Sequence, residues 1–372
     1  MKIVCEKEKL LKGLNCVQRA TSSKSTMPIL FGILIQTNDN QLRLTTYDLE
    51  IGIEYVMDCE IAEQGATVVD AKTFIEIIRK LPNNKINIEL LEDNNQLLIE
   101  CEESVYKLST MNPEEFPELP KIEVEKSIEL TDMTFKSMIK KTIFAVSLDE
   151  TKPIFTGCLI EVLKDKVNLV SIDGFRLAFV TEKIFNVNEP FKAVIPGKTL
   201  NEINKILAED GTKVNIGISK NQAMFEMGDC KLVSRLLEGE FLNYENVIPK
   251  DRETRVKINT NTLIQVIERA SLVSFSTDEK SKKFPLKLHI EVGKLTITCN
   301  GSIGNAKEEL YIETEGKELE IGFNHKYLLD ALKACDDEEV YIDFGTSVSP
   351  CIIRGKDKDV YLYMVLPVRL TD

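Results

Sequence analysis

One arrangement of residues occurs three times in this 372-residue chain, about 126 positions apart. Short β-branched segments open the copies at Ile3, Ile128 and Val256. Seven residues on, Leu10, Phe135 and Leu263 each begin an apolar stripe at helical spacing. Thirty-nine residues on, Leu42, Val167 and Leu295 enter the strands QLRLTTYD, KVNLVSID and KLTITCNG. At 65, 66 and 65 residues, a strand runs straight into a second helix: ATVVDAKTFIEII, KAVIPGKTLNEIN and LEIGFNHKYLLDAL. Register kept through three copies means one supersecondary unit used three times, each copy long enough to bury its own core. The domain boundaries that follow are 1–125, 126–250 and 251–372, with the charged stretches 118–127 and 249–255 as linkers.

Within each copy the periodicities predict strand, helix, strands, helix, strands. The first helices are expected over 7–20, 132–145 and 260–272, and the second over 71–81, 197–207 and 324–334. Phe74, Ile77, Ile78 and Leu81 share a face, as do Leu200, Ile203 and Leu207, and Leu10, Leu14 and Val17. Between them, β-branched runs closed by Gly, Asn and Asp read as hairpins. Each domain is therefore α+β, with two helices and about eight short strands, the helices on one side of antiparallel sheet.

Nine scattered cysteines, odd in number and without a CxxC pair, point to reduced thiols in a cytoplasm. The start MKIVCEKEKLL lacks a signal-peptide core, and no run approaches a membrane span.

The net charge of −13 argues by itself against a nucleic-acid partner, but the charge is uneven. The six helical segments together carry +9, leaving −22 on everything else. Lys72 and Arg79 sit opposite Phe74 and Ile77; Lys198 and Lys205 sit opposite Leu200 and Ile203; Lys12 and Arg19 sit opposite Leu10 and Leu14. Lys136, Lys140 and Lys141 add to the second copy. Placed side by side in one orientation, these faces form a cationic stripe that attracts phosphates without reading sequence. No aromatic–Arg cluster for stacking single-stranded bases is present, so the expected partner is the backbone of a duplex.

Apparent catalytic motifs fail on inspection. Pro196-Gly197-Lys198-Thr199 resembles the end of a phosphate loop, but Lys192 stands where the first glycine is required. Asp48 and Asp173 share a register occupied by Gly301 in the third copy, and read as turn residues. His289 and His325 have no partner at catalytic spacing, and neither metal-ligand spacing nor GxSxG occurs. No catalytic residue, metal or cofactor is expected. A peptide-binding scaffold that never meets DNA is the alternative reading that the acidic balance favours.

The chain resembles, from end to end, the β subunit of bacterial DNA polymerase III, the replication sliding clamp. The resemblance is carried by Thr26-Met27-Pro28-Ile29-Leu30, Asp48-Leu49-Glu50, Ser171-Ile172-Asp173-Gly174-Phe175-Arg176-Leu177, Ile321-Gly322-Phe323-Asn324 and Leu366-Pro367-Val368-Arg369-Leu370, in order on a threefold repeat. It implies half of a closed ring, helices inside and sheets outside, completed by a head-to-tail homodimer around double-stranded DNA. It implies a processivity factor that tethers the replicative polymerase and performs no chemistry. It also implies a pocket for short linear motifs of the polymerase III α subunit, the clamp loader, other polymerases and repair proteins. By position, that pocket comprises Phe155, Ile172, Gly174, Phe175, Arg176, Leu177, Leu242, Val247, Asn324, Tyr327, Val348 and the tail Met364, Val365, Leu366, Pro367, Val368, Arg369 and Leu370. Arg176 and Asn324 would orient the peptide. The DNA-facing set becomes Lys12, Lys24, Lys72, Arg79, Lys136, Lys140, Lys198 and Lys205. The dimer seam would join Leu272 and Val273 to an edge strand near Tyr106 and Leu108. Departures from the family pattern are Phe175 for a histidine, Leu242 for a proline, Pro153-Ile154 for a tyrosine pair, and a two-residue extension, Thr371-Asp372.

Overall fold

The computed structural model describes residues 1–370 except 23, 92–93, 186, 188, 275–283 and 358–359; the Thr371-Asp372 extension lies outside the described residues. The chain divides into two compact units, Met1–Phe135 with Glu202–Leu236, and Lys136–Asn201 with Leu237–Asp372.

The first copy of the repeat runs β1 (Lys2–Glu6), α1 (Lys7–Val17), β2 (Gly32–Asn38), β3 (Gln41–Tyr47), β4 (Ile51–Asp58), β5 (Glu60–Glu63), β6 (Ala66–Asp70), α2 (Ala71–Lys80), β7 (Lys85–Leu91), β8 (Gln96–Cys101) and β9 (Ser104–Met111). The second runs β10 (Lys126–Thr131), α3 (Asp132–Thr142), β11 (Gly157–Val162), β12 (Lys166–Ile172), β13 (Arg176–Lys183), β14 (Phe191–Pro196), α4 (Gly197–Ile206), β15 (Lys213–Ile218), β16 (Gln222–Met227) and β17 (Cys230–Arg235). The third runs β18 (Thr254–Asn259), α5 (Thr260–Ser271), β19 (Leu286–Glu291), β20 (Lys294–Gly301), β21 (Gly304–Tyr311), β22 (Glu313–Gly316), β23 (Leu319–Phe323), α6 (His325–Lys333), β24 (Glu339–Phe344), β25 (Cys351–Arg354) and β26 (Tyr361–Val365).

Three of the helices start where a strand ends because a short polar side chain caps them. Asp70 accepts from the Thr73 amide at 2.8 Å, Asn259 from Thr262 at 2.9 Å and Asn324 from Lys326 at 3.0 Å. The first helix of every copy closes through a 3₁₀ turn: Gln18–Ala20, Ile143–Ala145 and Leu272–Ser274. Two copies satisfy the last helical carbonyl alike, since the buried Thr46 and Ser171 hydroxyls donate to the Val17 and Thr142 carbonyls. Buried Cys299 holds the matching position in the third copy.

Leu10, Leu14 and Val17 are buried, as are Leu200, Ile203 and Leu207. On α2 the buried set is Ala71, Phe74, Ile75 and Ile78, with Leu81 just beyond its end. Ile77, expected inside, is only half-buried, because α2 is rotated so that Ile75 takes the inner position. Asp48 and Asp173 are turn residues as expected: Asp48 accepts from the Glu50 and Ile51 amides, and Asp173 from those of Phe175 and Arg176. Glycine replaces them at Gly301 because a Cβ there would lie 1.6 Å from the Val273 carbonyl oxygen.

Every copy builds two antiparallel ladders. The first is β4-β3-β2-β6, repeated as β13-β12-β11-β14 and β21-β20-β19-β23. The second is β9-β8-β7-β1, repeated as β17-β16-β15-β10 and β26-β25-β24-β18. The last strand of a second ladder then pairs with the first ladder of the preceding copy. In the first unit β17 joins β4, with Leu232 opposite Ile53. In the second unit β26 joins β13, with Tyr363 opposite Ala178. The hairpin registers make Leu232 and Tyr363 equivalent, and likewise Ile53 and Ala178, so both joints use one register.

Candidate functional site

The residues expected to line a peptide pocket lie in the second unit. The β12–β13 turn supplies its centre. Gly174 has φ +91°, a conformation that glycine adopts freely, and no atom lies within 4 Å of a Cβ built there. Backbone conformation, then, sets the demand for glycine at this turn. Asp173 holds the turn with two amide bonds, and its second oxygen accepts from Arg176 Nε at 2.9 Å.

Arg176 is the hub. Its Nη1 donates to Asp330 on α6 at 2.5 Å. Its guanidinium lies 4.6 Å from the Tyr327 ring centre and 5.5 Å from that of Phe144. Two carboxylates and two ring faces thus hold a cation whose side chain is 11% exposed. Arg176 therefore braces the wall through Nε and Nη1. Asn324 caps α6 with its side-chain oxygen.

Behind the turn, Ile172, Leu177 and Met364 belong to one buried cluster with Leu159, Val170 and Tyr244. Phe155 packs on this cluster and meets Phe241 edge to face at 6.0 Å. Phe175, 58% exposed, stacks on Tyr327 at 5.9 Å. Leu242, Val247 and Val348 are exposed; Leu242 and Val247 flank the 3₁₀ turn Tyr244–Asn246, and Val348 lies between β24 and β25.

The tail is anchored twice. The Leu366 amide donates to the Phe175 carbonyl at 2.9 Å, and the Val368 amide donates to Gly322 at 2.8 Å. Val365 is buried in β26, Leu366, Pro367 and Leu370 are half-buried, and Val368 and Arg369 are exposed. The whole is an apolar surface edged by backbone groups, suited to an extended peptide.

Tyr244 anchors the cluster through a buried carboxylate. Glu161 accepts from Tyr244 Oη at 2.5 Å, Asn168 Nδ2 at 2.8 Å and Lys192 Nζ at 2.6 Å. Burial opposes its charge, but these three donors outweigh burial and hold its carboxyl below the ordinary value.

Three family models match consecutive parts of the chain: the N-terminal, central and C-terminal domains of the DNA polymerase III beta subunit, over residues 1–120, 129–243 and 245–369. The chain belongs to the DNA polymerase III beta subunit family. Family relatives named "Beta sliding clamp" include one from Halalkalibacterium halodurans, 34% identical over 99% of this chain and 100% of the relative. Another, from Staphylococcus epidermidis, is 33% identical over 99% of each. The crystal structure of the DNA polymerase sliding clamp from Bacillus subtilis superposes with a TM-score of 0.94 at 32% identity, covering all of both chains. The three-domain α+β architecture is thus that of a beta subunit.

The other expected residues of this beta subunit sit as follows. Lys12, Lys24, Lys72, Arg79, Lys140, Lys198 and Lys205 are exposed, and Lys136 is half-buried. Arg79 pairs with Glu76, and Lys205 with Glu202, each one turn away on the same helix. Lys12 lines an open cleft of about 810 Å³ with Lys9, Lys213 and Lys231, but also with Glu54, Asp58, Glu226 and Asp229. Lys141 departs from expectation: it is buried, 2.7 Å from Asp336 and above the Tyr361 ring. Tyr106 and Leu272 are exposed, while Leu108 and Val273 are half-buried. Pro153 and Ile154 begin the 3₁₀ turn Pro153–Thr156 that carries Phe155.

Sequence reasoning missed Asp330, Phe144, Phe241 and Glu161. Of these, Asp330 left a signal, lying three residues from Tyr327 on one face of α6. Among the described residues no helix is long and apolar enough to cross a membrane.

Proposed function

We propose that two copies of this chain close head to tail into a ring around duplex DNA, holding a replicative polymerase to its template. Domains of residues 1–125, 126–250 and 251–372, three from each copy, make the six segments of that ring.

The repeated joint carries this reading. Within the chain, the end of one copy's second ladder twice pairs with the preceding copy's first ladder in one register. The same rule leaves β9 and β21 as the third pair. Residues 104–109 of β9 pair with β8 alone among the described residues, and β21 ends its ladder. A heterologous contact of this kind generates a ring when its rotation closes. Transferring the register places Tyr106 of one copy opposite Ala306 of the other, Leu108 opposite Gly304 and Ser104 opposite Glu308. Leu272 follows α5, which lies against β21, so it meets Tyr106 on that side of the seam.

The exposed cations Lys12, Lys24, Lys72, Arg79, Lys140, Lys198 and Lys205, with Lys136, are the phosphate-facing set. Their attraction is modest, because Glu76 and Glu202 partly neutralise Arg79 and Lys205. Modest attraction suits a sliding ring: topology prevents escape and loose phosphate contacts permit movement. Polymerases, a clamp loader and repair proteins dock by short linear motifs in the Phe155–Phe175–Leu366 cleft, raising local polymerase concentration. The nine unpaired thiols fit a reducing cytoplasm.

Loaded protein should persist on nicked circular plasmid and run off once the plasmid is linearised. Reversing charge at Lys72, Arg79, Lys198 and Lys205 should lower loading at least tenfold while leaving peptide affinity within twofold. A protein that stays on linear DNA with unblocked ends does not encircle it.

The tail offers a separate test. A Cβ at Gly322 would lie 2.7 Å from Leu370 Cδ2 and 2.8 Å from the Val368 oxygen. Gly322→Ala should therefore lift the tail and weaken a polymerase-motif peptide about tenfold, with stability changed by about 1 kcal/mol. Fluorescence anisotropy of the labelled peptide reads this out; unchanged affinity would remove the tail from the pocket.

A further inference from the structure

The third copy of the repeat brings together ligand-forming side chains that the proposed function leaves unused. His289 and Glu291 project from one face of β19, while Leu288 and Ile290 point inward. Across the β19–β23 ladder His289 faces Glu320, and Glu318 precedes β23 by one residue. His289 Nε2 lies 3.3 Å from Glu318 Oε1 and 3.8 Å from Glu291 Oε2. One ligand atom from each of His289, Glu291 and Glu318 falls within 4.8 Å of the others. Ligand atoms about 2.1 Å from a tetrahedral ion sit roughly 3.4 Å apart, so these spacings need only small rotamer adjustments.

A second observation concerns the other ring nitrogen. His289 Nδ1 is buried and has no hydrogen-bond partner, with Glu320 Oε2 at 4.0 Å. With the ring proton on Nε2, on the side of Glu318, Nδ1 is an acceptor without a donor beside a carboxylate. A metal ion on Nε2 moves that proton to Nδ1, which then has Glu320 to donate to. Metal-binding imidazoles are usually oriented by such a carboxylate. Glu320 is itself held by Lys287 at 2.7 Å. Lys294, opposite Glu291 on β20, is engaged by Glu309 at 3.0 Å.

We propose that His289, Glu291 and Glu318 bind a first-row divalent transition ion, zinc foremost, with Glu320 as the positioning residue. An imidazole with two carboxylates selects such an ion over magnesium, which prefers oxygen ligands and keeps its water. The site was invisible to motif reading because Glu318 lies 29 residues beyond His289 and approaches it only through the β19–β23 pairing.

The test uses the full chain, stripped with chelator and titrated with Co²⁺, then with Zn²⁺ in competition. One equivalent per chain is expected, with the visible bands of a four-coordinate ion and no thiolate charge-transfer band. His289→Asn and Glu318→Gln should each weaken binding at least tenfold, with unchanged circular dichroism. Glu320→Gln should weaken it about tenfold while keeping the stoichiometry and the visible spectrum. Absence of saturable uptake, a thiolate band that places the ion on cysteine, or undiminished binding in His289→Asn would each overturn the proposal.

Discussion

Tyr106→Asp is expected to sediment as a monomer at concentrations where the parent protein is a dimer. Tyr106 would face the small Ala306 on the partner strand, leaving room for the ring to cover Leu272. A truncated or charged interface anchor costs about 2 kcal/mol or more. The substitution falls in both seams of the proposed ring, so its effect is counted twice, about 4 kcal/mol, or roughly a thousandfold in dissociation constant. Register can be tested independently. Tyr106→Cys with Ala306→Cys should give a covalent dimer with a short bismaleimide. Lys107→Cys with Ala306→Cys should not, because a one-residue shift turns the side chain to the opposite face. The parent, with its own partly exposed Cys59 and Cys335, is the control. A dimer that survives Tyr106→Asp, or cross-links equally in both registers, would place the seam elsewhere.

The second large effect is expected at Arg176. Arg176→Ala strands Asp173 and Asp330 opposite no cation and removes the group packed between the Tyr327 and Phe144 rings. Breaking a buried pair costs 3–5 kcal/mol, and because Asp330 is partly exposed the low end applies, about 3 kcal/mol. Calorimetry should show the transition of the second unit moving down. Affinity for a polymerase-motif peptide should fall at least tenfold, since Phe175 and Tyr327 lose the group that aligns them. Arg176→Lys keeps the charge but not the planar fork, and should recover less than half of either loss. Peptide binding that is unaffected in Arg176→Ala would separate this hub from the pocket.

Helices and hairpins were legible in the sequence because their signals are local. Leu10, Leu14 and Val17 mark a face by spacing alone. The turn roles of Asp48 and Asp173 were legible for the same reason. What failed depended on rotation or on distance along the chain. Ile77 and Ile75 differ only by which way α2 is turned against its sheet. Lys141 looked like one more surface cation until Asp336 and Tyr361, far along the chain, enclosed it. Arg176 could be placed at the pocket by resemblance, but not recognised as its brace, because Asp330 is 154 residues away. Pairing of β17 with β4 and of β26 with β13 leaves no periodic mark at all, so the rule pointing to the seam appeared only in the ladders.

That rule also bears on where such an assembly would give way. At the two joints within the chain, the central pairs Leu232–Ile53 and Tyr363–Ala178 are wholly shielded from water. The pair left for the contact between chains is bordered by Ser104, Lys107, Asn305, Lys307 and Glu308, groups that water can solvate as they part. Covalent continuity adds to the difference, since strands within one chain cannot diffuse away from each other. A protein that must admit a DNA strand and then retain it would thus carry its gate at β9 and β21, while the joints β17–β4 and β26–β13 stay shut.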